Sequence, residues 1–169
     1  VITVADQNDP VLVCVAGSTE LAPFERNAGA GLCYYSVVGT EFDPTTFTDD
    51  CGATLTNSFD GTSTLEGKQI PSGDHAIVWN ATDNAGNSVD CTIYIRVNDT
   101  QDPTFTLYSG TSNLYTDGGE CYHTVPGTDF DPHALVDNCG IASVTYLVSD
   151  GASYNETGSN SLSGLEIPK

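Results

Sequence analysis

The chain has 169 residues, of which 23 are acidic and four are basic, so its formal net charge is −19. Such a surface repels phosphate groups, which excludes nucleic-acid binding and attachment to anionic lipid headgroups. Hydrophobic residues make up 38% of the chain, enough for a packed core, and no apolar run approaches the ~20 residues that a membrane span needs. We therefore expect a folded chain that does not insert into a membrane.

The local pattern predicts short β-strands and no helix. Two segments, residues 75–82 and 91–97, alternate apolar and polar residues and are rich in β-branched and aromatic side chains, and the sequence DNAGN between them is typical of a hairpin turn. Roughly seven short strands in about 95 residues indicate an all-β fold, an immunoglobulin-like antiparallel β-sandwich. Further strand candidates lie at residues 11–15, 33–38 and 142–148.

The single tryptophan belongs to the first of these alternating segments. Trp79 lies on the same predicted face as Ile77. Large aromatic side chains usually carry the core of such domains, so we predict that Trp79 is a core residue and not an exposed platform for a ligand.

The sequence repeats itself. Residues 33–44 (CYYSVVGTEFDP) match residues 121–132 (CYHTVPGTDFDP), and the motif Asp-Asp-Cys-Gly at 49–52 matches Asp-Asn-Cys-Gly at 137–140. Self-similarity of this kind is the signature of repeat architectures. The further matches pair residues 1–10 with 94–103 and residues 63–71 with 160–168.

The phase of the repeat divides the chain into three parts. Residues 1–7 match the last strand of a copy, residues 8–100 form one complete immunoglobulin-like copy, and residues 101–169 form a second, truncated copy. The counterpart of residues 72–97 is absent from the second copy. We therefore expect a piece of a longer tandem array, whose secretion signal and anchor lie elsewhere.

The six cysteines indicate a secreted, disulfide-containing protein. The chain has no Cys-x-x-Cys motif, its closest cysteines are 18 residues apart, and His75, His123 and His133 are scattered. Zinc sites need thiolates or imidazoles clustered at short spacing, so a metal–thiolate site is disfavoured. Paired cysteines in this setting point to an oxidising, extracellular location.

Comparison of the two copies favours one disulfide pattern. Cys14, Cys33, Cys51 and Cys91 of the complete copy allow three pairings. The second copy keeps two of these positions but has Leu107 where the first has Cys14. A rival pairing of Cys51 with Cys91 remains open, because both would lie at one end of a sandwich. The pattern that leaves no cysteine unpaired is Cys33–Cys51, Cys121–Cys139 and Cys14–Cys91.

The motifs taken together resemble those of the hyalin-repeat (HYR) family. They are Asp-(Asp/Asn)-Cys-Gly, then IPSGDHAIVWNATDNAGN at residues 70–87, then CTIYIRVNDTQDP at residues 91–103. More narrowly, Phe-Asp-Pro followed by Asp-x-Cys-Gly is similar to copies in very large surface proteins of Bacteroidota, including gliding-motility adhesins. The resemblance implies a non-catalytic stalk or adhesive module at the bacterial cell surface. Its implied partners are neighbouring repeats, surface polysaccharide or other cells.

The linkers between copies concentrate oxygen ligands and predict calcium. Carboxylates and amide oxygens suit a hard cation that takes six to eight oxygen ligands. An immunoglobulin-like topology would bring further acids to each linker, although Asp and Asn also simply make turns and cap strands. The candidate ligands are Asp6, Asn8, Asp9, Asp49, Asp50 and Asp83 at the first linker and Asn98, Asp99, Asp102 and Asp137 at the second.

Motifs for catalysis are absent from the sequence. It contains no Gly-x-Ser-x-Gly elbow, no His-Glu-x-x-His and no phosphate-binding glycine loop. We therefore predict that the chain is not an enzyme. The alternative function is a glycan-binding or spacer module of a secreted multidomain hydrolase, which would need exposed aromatic side chains. The candidates for that role are Tyr34, Tyr35, Tyr108, Tyr115 and Tyr154.

Overall fold

The computed structural model describes residue 2 and residues 5–110, 113–149 and 155–169, with the side chain of Asn155 excluded. Every regular element in this part of the chain is a β-strand, as predicted. No helix among the described residues is long and apolar enough to cross a membrane. The chain forms two compact units, residues 1–100 and 101–169. The predicted strand at residues 1–7 falls partly outside the described residues.

The described residues of the first unit form eight strands. A four-stranded sheet has the order β2-β8-β7-β5, in which β2 runs parallel to β8 and the other neighbours are antiparallel. Two small antiparallel sheets, β1-β4 and β3-β6, complete the unit. The strands are β1 (Val11–Val13), β2 (Phe24–Asn27), β3 (Tyr34–Ser36), β4 (Thr46–Thr48), β5 (Ala53–Asn57), β6 (Gln69–Pro71), β7 (Gly73–Asp83) and β8 (Ser88–Asn98).

The hairpin of β7 and β8 supplies most of the core. Each strand has 11 residues, and their register pairs Gly73 with Val97 and Thr82 with Ser88. Alternate side chains are buried along both strands, as period two predicts. Trp79 is fully buried, so it is the core residue that the sequence predicts. The buried set on the hairpin is Ile77, Trp79, Ala81, Ile93, Ile95 and Val97.

The small sheets cover the inner face of the four-stranded sheet. Ile70 of β6 is fully buried in the same hydrophobic cluster, and Leu12 of β1 packs against that cluster. Phe42 of the Phe-Asp-Pro motif is fully buried too. The neighbouring Asp43 accepts hydrogen bonds from the Leu65 amide (2.8 Å) and the Thr64 hydroxyl (2.6 Å). The motif therefore anchors two loops on the core.

A disulfide joins Cys14, which follows β1, to Cys91 of β8, with the two Cα atoms 5.9 Å apart. This bond was one of the three that the sequence comparison predicts, and its formation excludes the rival pairing of Cys51 with Cys91. The bond ties the β1-β4 sheet to the four-stranded sheet across a sequence separation of 77 residues. Closing a loop of that length stabilises the folded state by about 4 kcal/mol in the chain-entropy view.

The other two predicted disulfides are wrong. Cys51 and Cys121 are exposed free thiols, so neither Cys33–Cys51 nor Cys121–Cys139 is formed. The reason lies in the length of β7. The amide of Ser72, just before β7, donates to the carbonyl of Cys33 (2.9 Å), whereas the side chain of Asn84, just after β7, donates to the carbonyl of Cys51 (3.5 Å). Ten steps of about 3.3 Å separate those ends, far beyond the reach of a disulfide.

The second unit repeats the hydrogen bonds of the first. The β10-β14 register pairs Tyr122 with Pro168, as β3-β6 pairs Tyr34 with Pro71. Likewise Asp131 accepts the amide of Leu162, in the position of Asp43 with Leu65. The described strands are β9 (Thr104–Thr106), β10 (Tyr122–Thr124), β11 (His133–Val136), β12 (Thr145–Ser149), β13 (Asn155–Ser159) and β14 (Glu166–Pro168), paired as β9-β11, β10-β14 and β12-β13.

The core of the second unit is small. Val125 is its fully buried hydrophobic residue among those the structure describes, and Phe105, Leu107 and Leu147 are largely exposed. These side chains line an apolar groove. In the first unit the two long strands β7 and β8 fill the core with Trp79 and its neighbours, and the described strands of the second unit have at most five residues. The difference in burial matches this difference in strand length.

A small ion-pair network supports the first unit beside its core. Arg26 of β2 donates from two of its nitrogens to Oε2 of Glu41, while the Tyr35 hydroxyl donates to Oε1 of Glu41 (2.6 Å). The Arg26 guanidinium also lies 5.0 Å from the ring centroid of Phe42, a cation–π distance. Burial by itself would raise the pKa of Glu41, but the hydrogen bonds from Tyr35, Arg26 and the Val38 amide outweigh it and lower that pKa.

We predict that Glu41→Gln destabilises the first unit by about 1–3 kcal/mol at pH 7, because it removes charge-assisted hydrogen bonds from a half-buried site. Since the pKa of Glu41 is lowered on folding, its contribution is complete above the unfolded value and disappears as the pH falls through the folded value. Urea unfolding followed by Trp79 fluorescence at pH 7 and pH 3 measures the difference. The difference in the free energy of unfolding between the parent and Glu41→Gln should be smaller at pH 3 than at pH 7.

The matched control is Glu66→Gln, which removes the same charge from an exposed glutamate. It should change stability by less than about 0.5 kcal/mol at either pH. If Glu41→Gln lowers the free energy of unfolding by the same amount at pH 7 and at pH 3, the role assigned to the carboxylate is contradicted.

Candidate metal centre

The turn between β7 and β8 is organised by one carboxylate. Oδ1 of Asp83 accepts hydrogen bonds from the backbone amides of Ala85, Gly86 and Asn87 at 2.7–2.9 Å. Oδ2 of Asp83 accepts one from the side chain of Asn87 (2.7 Å). Burial raises the pKa of Asp83, but these hydrogen bonds more than offset it and hold the pKa below its usual value. The Asp-Asn-Ala-Gly-Asn sequence therefore builds a turn that presents an ionised carboxylate.

The same turn holds the first linker. The side-chain amide of Asn87 donates to the backbone carbonyls of Asn8 (3.1 Å) and Asp6 (3.4 Å). The backbone amide of Asn8 donates to Oδ1 of Asp6, and its side chain donates to Oδ2 of Asp50. We call this end of the first unit, formed by residues 6–10, 48–52 and 83–87, the N-terminal pole.

The loop that carries Cys51 completes the pole. Oδ1 of Asp49 accepts the amide of Cys51 (3.0 Å), which closes an Asx turn. Gly52 follows with a φ of +92°, a left-handed conformation that favours glycine. Hydrogen bonding to Asp6, together with the nearby charges of Asp6 and Asp50, raises the pKa of Cys51. The thiol therefore stays protonated at neutral pH.

Three carboxylates converge at the N-terminal pole. One oxygen from each of Asp6, Asp49 and Asp83 lies within 4.8 Å of the other two. Oδ2 of Asp6 and Oδ2 of Asp49 are buried, and neither has a hydrogen-bond partner. Carboxylates about 5 Å apart repel by roughly 1–3 kcal/mol per pair at effective dielectrics between 80 and 20. A second group, formed by Asp6, Asp50 and Cys51, is equally close.

This donor set fits a hard cation. The unpartnered oxygens of Asp6 and Asp49 are carboxylate oxygens, which calcium prefers. A bound cation would relieve both their mutual repulsion and the cost of burying them without partners. Asp83 differs, because its oxygens are already engaged by the turn. For that residue the simpler interpretation, turn formation, accounts for the geometry by itself.

The remaining candidate ligands are distributed unevenly. Asp9 is exposed and lines a shallow cavity with Asp49 and Asp50 at the same pole. Asn98 lies elsewhere, at the end of β8, where its side chain donates to Glu25 (3.0 Å). In the part of the chain that the structure describes, both close groups of possible metal ligands belong to the first linker.

Among the described residues, the candidate ligands of the second linker share only the Asx turn with those of the first. Asp99 and Asp102 are exposed. Asp137 accepts the amide of Cys139 (2.8 Å), which reproduces the Asx turn of Asp49 and Cys51. Sequence reasoning missed Asn87, whose amide holds the first linker. The signal available for it was only its place as the last residue of a turn.

The described tyrosines among those proposed for glycan binding differ in their exposure and contacts. Tyr34 and Tyr35 are half-buried, and the Tyr35 hydroxyl is engaged by Glu41. Tyr108 packs edge-on against Phe130, with ring centroids 5.2 Å apart. Tyr115 is 82% exposed, and Tyr154 lies outside the described residues. Stacking on a sugar needs an open aromatic face, which among the described candidates Tyr115 offers most clearly.

Comparison with known families adds to this geometry. The family model of the HYR domain matches residues 5–97, which is more than half of the chain. A comparison with curated proteins finds no match. The matched span contains the whole acidic cluster from Asp6 to Asp83 and the disulfide between Cys14 and Cys91.

We predict that Asp49→Asn stabilises the first unit by about 1 kcal/mol in the presence of a chelator, because it removes one charge from three converging carboxylates. The asparagine keeps the side-chain oxygen that accepts the Cys51 amide, and its new amide can donate to Asp6. Thermal unfolding followed by Trp79 fluorescence measures the change. Asp129→Asn, an exposed aspartate of the second unit, is the control and should leave this transition unchanged. A lower melting temperature for Asp49→Asn contradicts the predicted repulsion.

Proposed function

Since the chain belongs to the HYR domain family, we propose that it is a load-bearing stalk or adhesive module of a long extracellular surface filament or adhesin. HYR domains are extracellular, non-enzymatic modules of the adhesion type. The finer assignment is a surface adhesin of Bacteroidota, of the gliding-motility type, and the Phe-Asp-Pro and Asp-x-Cys-Gly motifs support it. Its partners would be neighbouring repeats of the same chain and a surface polysaccharide or other cells.

The observation that carries this proposal is the position of the disulfide relative to the ends of the first unit. The chain enters β1 from the N-terminal pole and leaves from the end of β8 near Val97, at the opposite end of the 11-residue hairpin. Cys14 follows β1, and Cys91 lies in β8. Tension along the backbone would therefore pass from β1 through the disulfide into β8. The core strands β2 to β7 lie outside that path.

The linkers support a stiff array. Residues 98–103 contain neither Gly nor Ser and end in Pro103. Proline fixes φ and removes a backbone donor, so such a linker is stiffer than a Gly/Ser-rich one. Strands of about ten residues would give each repeat a length of about 35–45 Å once its end loops are included.

We predict that the disulfide limits extension of the first unit under force. In a chain whose other four cysteines are changed to serine, unfolding by atomic force microscopy should release only a short segment when Cys14–Cys91 is intact. Reduction should add about 27 nm, because it frees the 77-residue loop at about 3.5 Å per residue. Equal contour lengths before and after reduction would overturn the proposed load path.

We also propose that the acidic cluster of the N-terminal pole binds calcium. The buried, unpartnered oxygens of Asp6 and Asp49 support this proposal, together with the backbone carbonyls and the Asn8 side chain close by. Extracellular calcium sites are weak, with dissociation constants on the order of 0.1–1 mM. Such an affinity suits a site that is saturated outside the cell.

We predict that calcium at a hundredfold excess over its dissociation constant stabilises the first unit by about 2.7 kcal/mol. For a domain of this size the melting temperature should rise by more than about 10 °C. Trp79 is the only tryptophan, so its fluorescence follows the first unit.

The calcium effect should vanish in Asp49→Asn and persist in Asp129→Asn, since only the former lies in the cluster. Magnesium should act more weakly, because it demands near-octahedral geometry and holds its water. If calcium leaves the melting temperature of the parent unchanged and calorimetry detects no heat of calcium binding, the proposal is wrong. The acidic residues would then only form turns and carry surface charge.

A further inference from the structure

A small groove lies on the outer face of the four-stranded sheet of the first unit. Side chains along β7 and β8 alternate between buried and more exposed positions, so one set points away from the core. Asp74, Ala76 and Tyr94 belong to this outward set. The groove has a volume of about 230 Å³, and its lining includes Glu20, Pro23, Asp74, His75, Ala76 and Tyr94.

The register of the hairpin makes room for the groove. The β7-β8 pairing places Ala76 opposite Tyr94 and Asp74 opposite Arg96. Side chains directly opposite each other in a sheet lie close together. Because Ala76 carries only a methyl group, it leaves space beside the larger Tyr94 side chain. The hairpin therefore offers one aromatic and two charged side chains around a small residue.

A hydrogen-bonded turn at residues 18–23 forms one wall of the groove. The amide of Thr19 donates to the carbonyl of Ala22 (3.0 Å), and the amide of Ala22 donates back to the carbonyl of Thr19 (3.1 Å). The Ser18 hydroxyl accepts the amide of Tyr94 (3.1 Å), which holds the turn against β8. The wall that carries Glu20 is therefore in place before a ligand binds, and this lowers the entropic cost of binding.

The charges around the groove favour a cationic ligand. Asp74 accepts hydrogen bonds from two nitrogens of Arg96, and the carboxylate of Glu25 lies 3.8 Å from Arg96. Nε2 of His75 donates to a backbone carbonyl (2.8 Å). Glu20 is exposed, and no hydrogen bond or ion pair engages its carboxylate in the part of the chain that the structure describes. Three carboxylates thus surround one guanidinium on a chain of net charge −19, which attracts cations and repels acidic ligands.

Tyr94 supplies an apolar surface beside these charges. Its side chain is half-buried, and among the described residues its ring makes no aromatic or cation–π contact and its hydroxyl makes no hydrogen bond. Arg96 is held by Asp74 instead. An aromatic ring with a few placed polar groups is the usual composition of a small-molecule site. Tyr94 is absent from the tyrosines that the sequence nominates, because alternation alone does not show which outward residue borders a groove.

We propose that this groove binds one hexosamine residue of a surface polysaccharide, with its amine free and protonated. The apolar face of the sugar ring packs on Tyr94, and Glu20 takes the ammonium group. Asp74 accepts sugar hydroxyls through the lone pairs that Arg96 leaves unused. The groove is smaller than the roughly 300–1,000 Å³ of most ligand pockets, which suits one sugar ring better than a length of basic peptide. The inference rests on the proposed function in taking a polysaccharide as the partner.

An NMR titration of the 169-residue chain tests the proposal at pH 6 and about 0.15 M salt. The probes are a glucosamine trimer with free amines and its fully N-acetylated form. The free-amine trimer should shift the amide signals of Ala76 and Tyr94 with a dissociation constant on the order of 1 mM. The N-acetylated trimer should bind there about threefold to tenfold more weakly, because it lacks the charge. Equal affinities, or shifts confined to the N-terminal pole, overturn the proposal.

Variants separate recognition from folding. Ala76→Ile fills the groove at an exposed strand position that favours a β-branched residue, so it should abolish binding while the unfolding transition of Trp79 stays intact. Glu20→Gln should weaken the free-amine trimer about threefold to tenfold and the N-acetylated trimer less than twofold. Glu66→Gln, the matched control at another exposed glutamate, should change neither. Undiminished binding to a folded Ala76→Ile variant contradicts the assigned site.

A lysine trimer with blocked termini distinguishes a sugar site from general attraction of cations, since it carries the same number of amines as the glucosamine trimer. We expect it to cause no shift at Ala76 or Tyr94 that Ala76→Ile removes. If it binds the groove as tightly as the sugar, the groove recognises charge alone and the proposal is wrong. The force measurement on the Cys14–Cys91 disulfide does not involve the groove, so failure of sugar binding and failure of the load-bearing function give separate results.

Discussion

The pairing of β7 with β8 is the interaction on which the first unit depends. Ten residue pairs in register give the hairpin its length. Its inward side chains, above all Trp79, form one side of the hydrophobic core. The same hairpin sets the distance between the ends of the unit. Its turn holds the first linker through Asn87, and its other end lies beside Cys33. Fold, candidate cation site and cysteine positions therefore share one origin.

Much of this fold could be predicted because period-two burial leaves a direct mark on the sequence. Alternation in residues 75–82 and 91–97 predicts the hairpin and the burial of Trp79, and both are confirmed. The strand Phe24–Asn27 was not predicted. It is short and carries two charged residues, and it pairs in parallel with β8, a neighbour about 70 residues away that local pattern cannot reveal.

The candidate site was predicted in part. Asp6, Asp49 and Asp83 meet because strand ends gather at one pole, which follows from the topology. Backbone carbonyls held by Asn87 could not be predicted, since any residue supplies a carbonyl. The error over Cys33 and Cys51 has a different cause. Comparison of copies carries no information on distance, whereas the length of β7 separates those two residues.

The bond between Cys14 and Cys91 also bears on survival among secreted proteases. Every peptide bond between those residues belongs to a covalent ring. The ring includes the exposed turns at residues 60–63 and 84–86, the kind of segment where proteases nick a folded domain. A single cut there leaves both fragments joined through sulfur. The second copy has Leu107 in place of the cysteine, so it cannot form the equivalent of the Cys14–Cys91 ring.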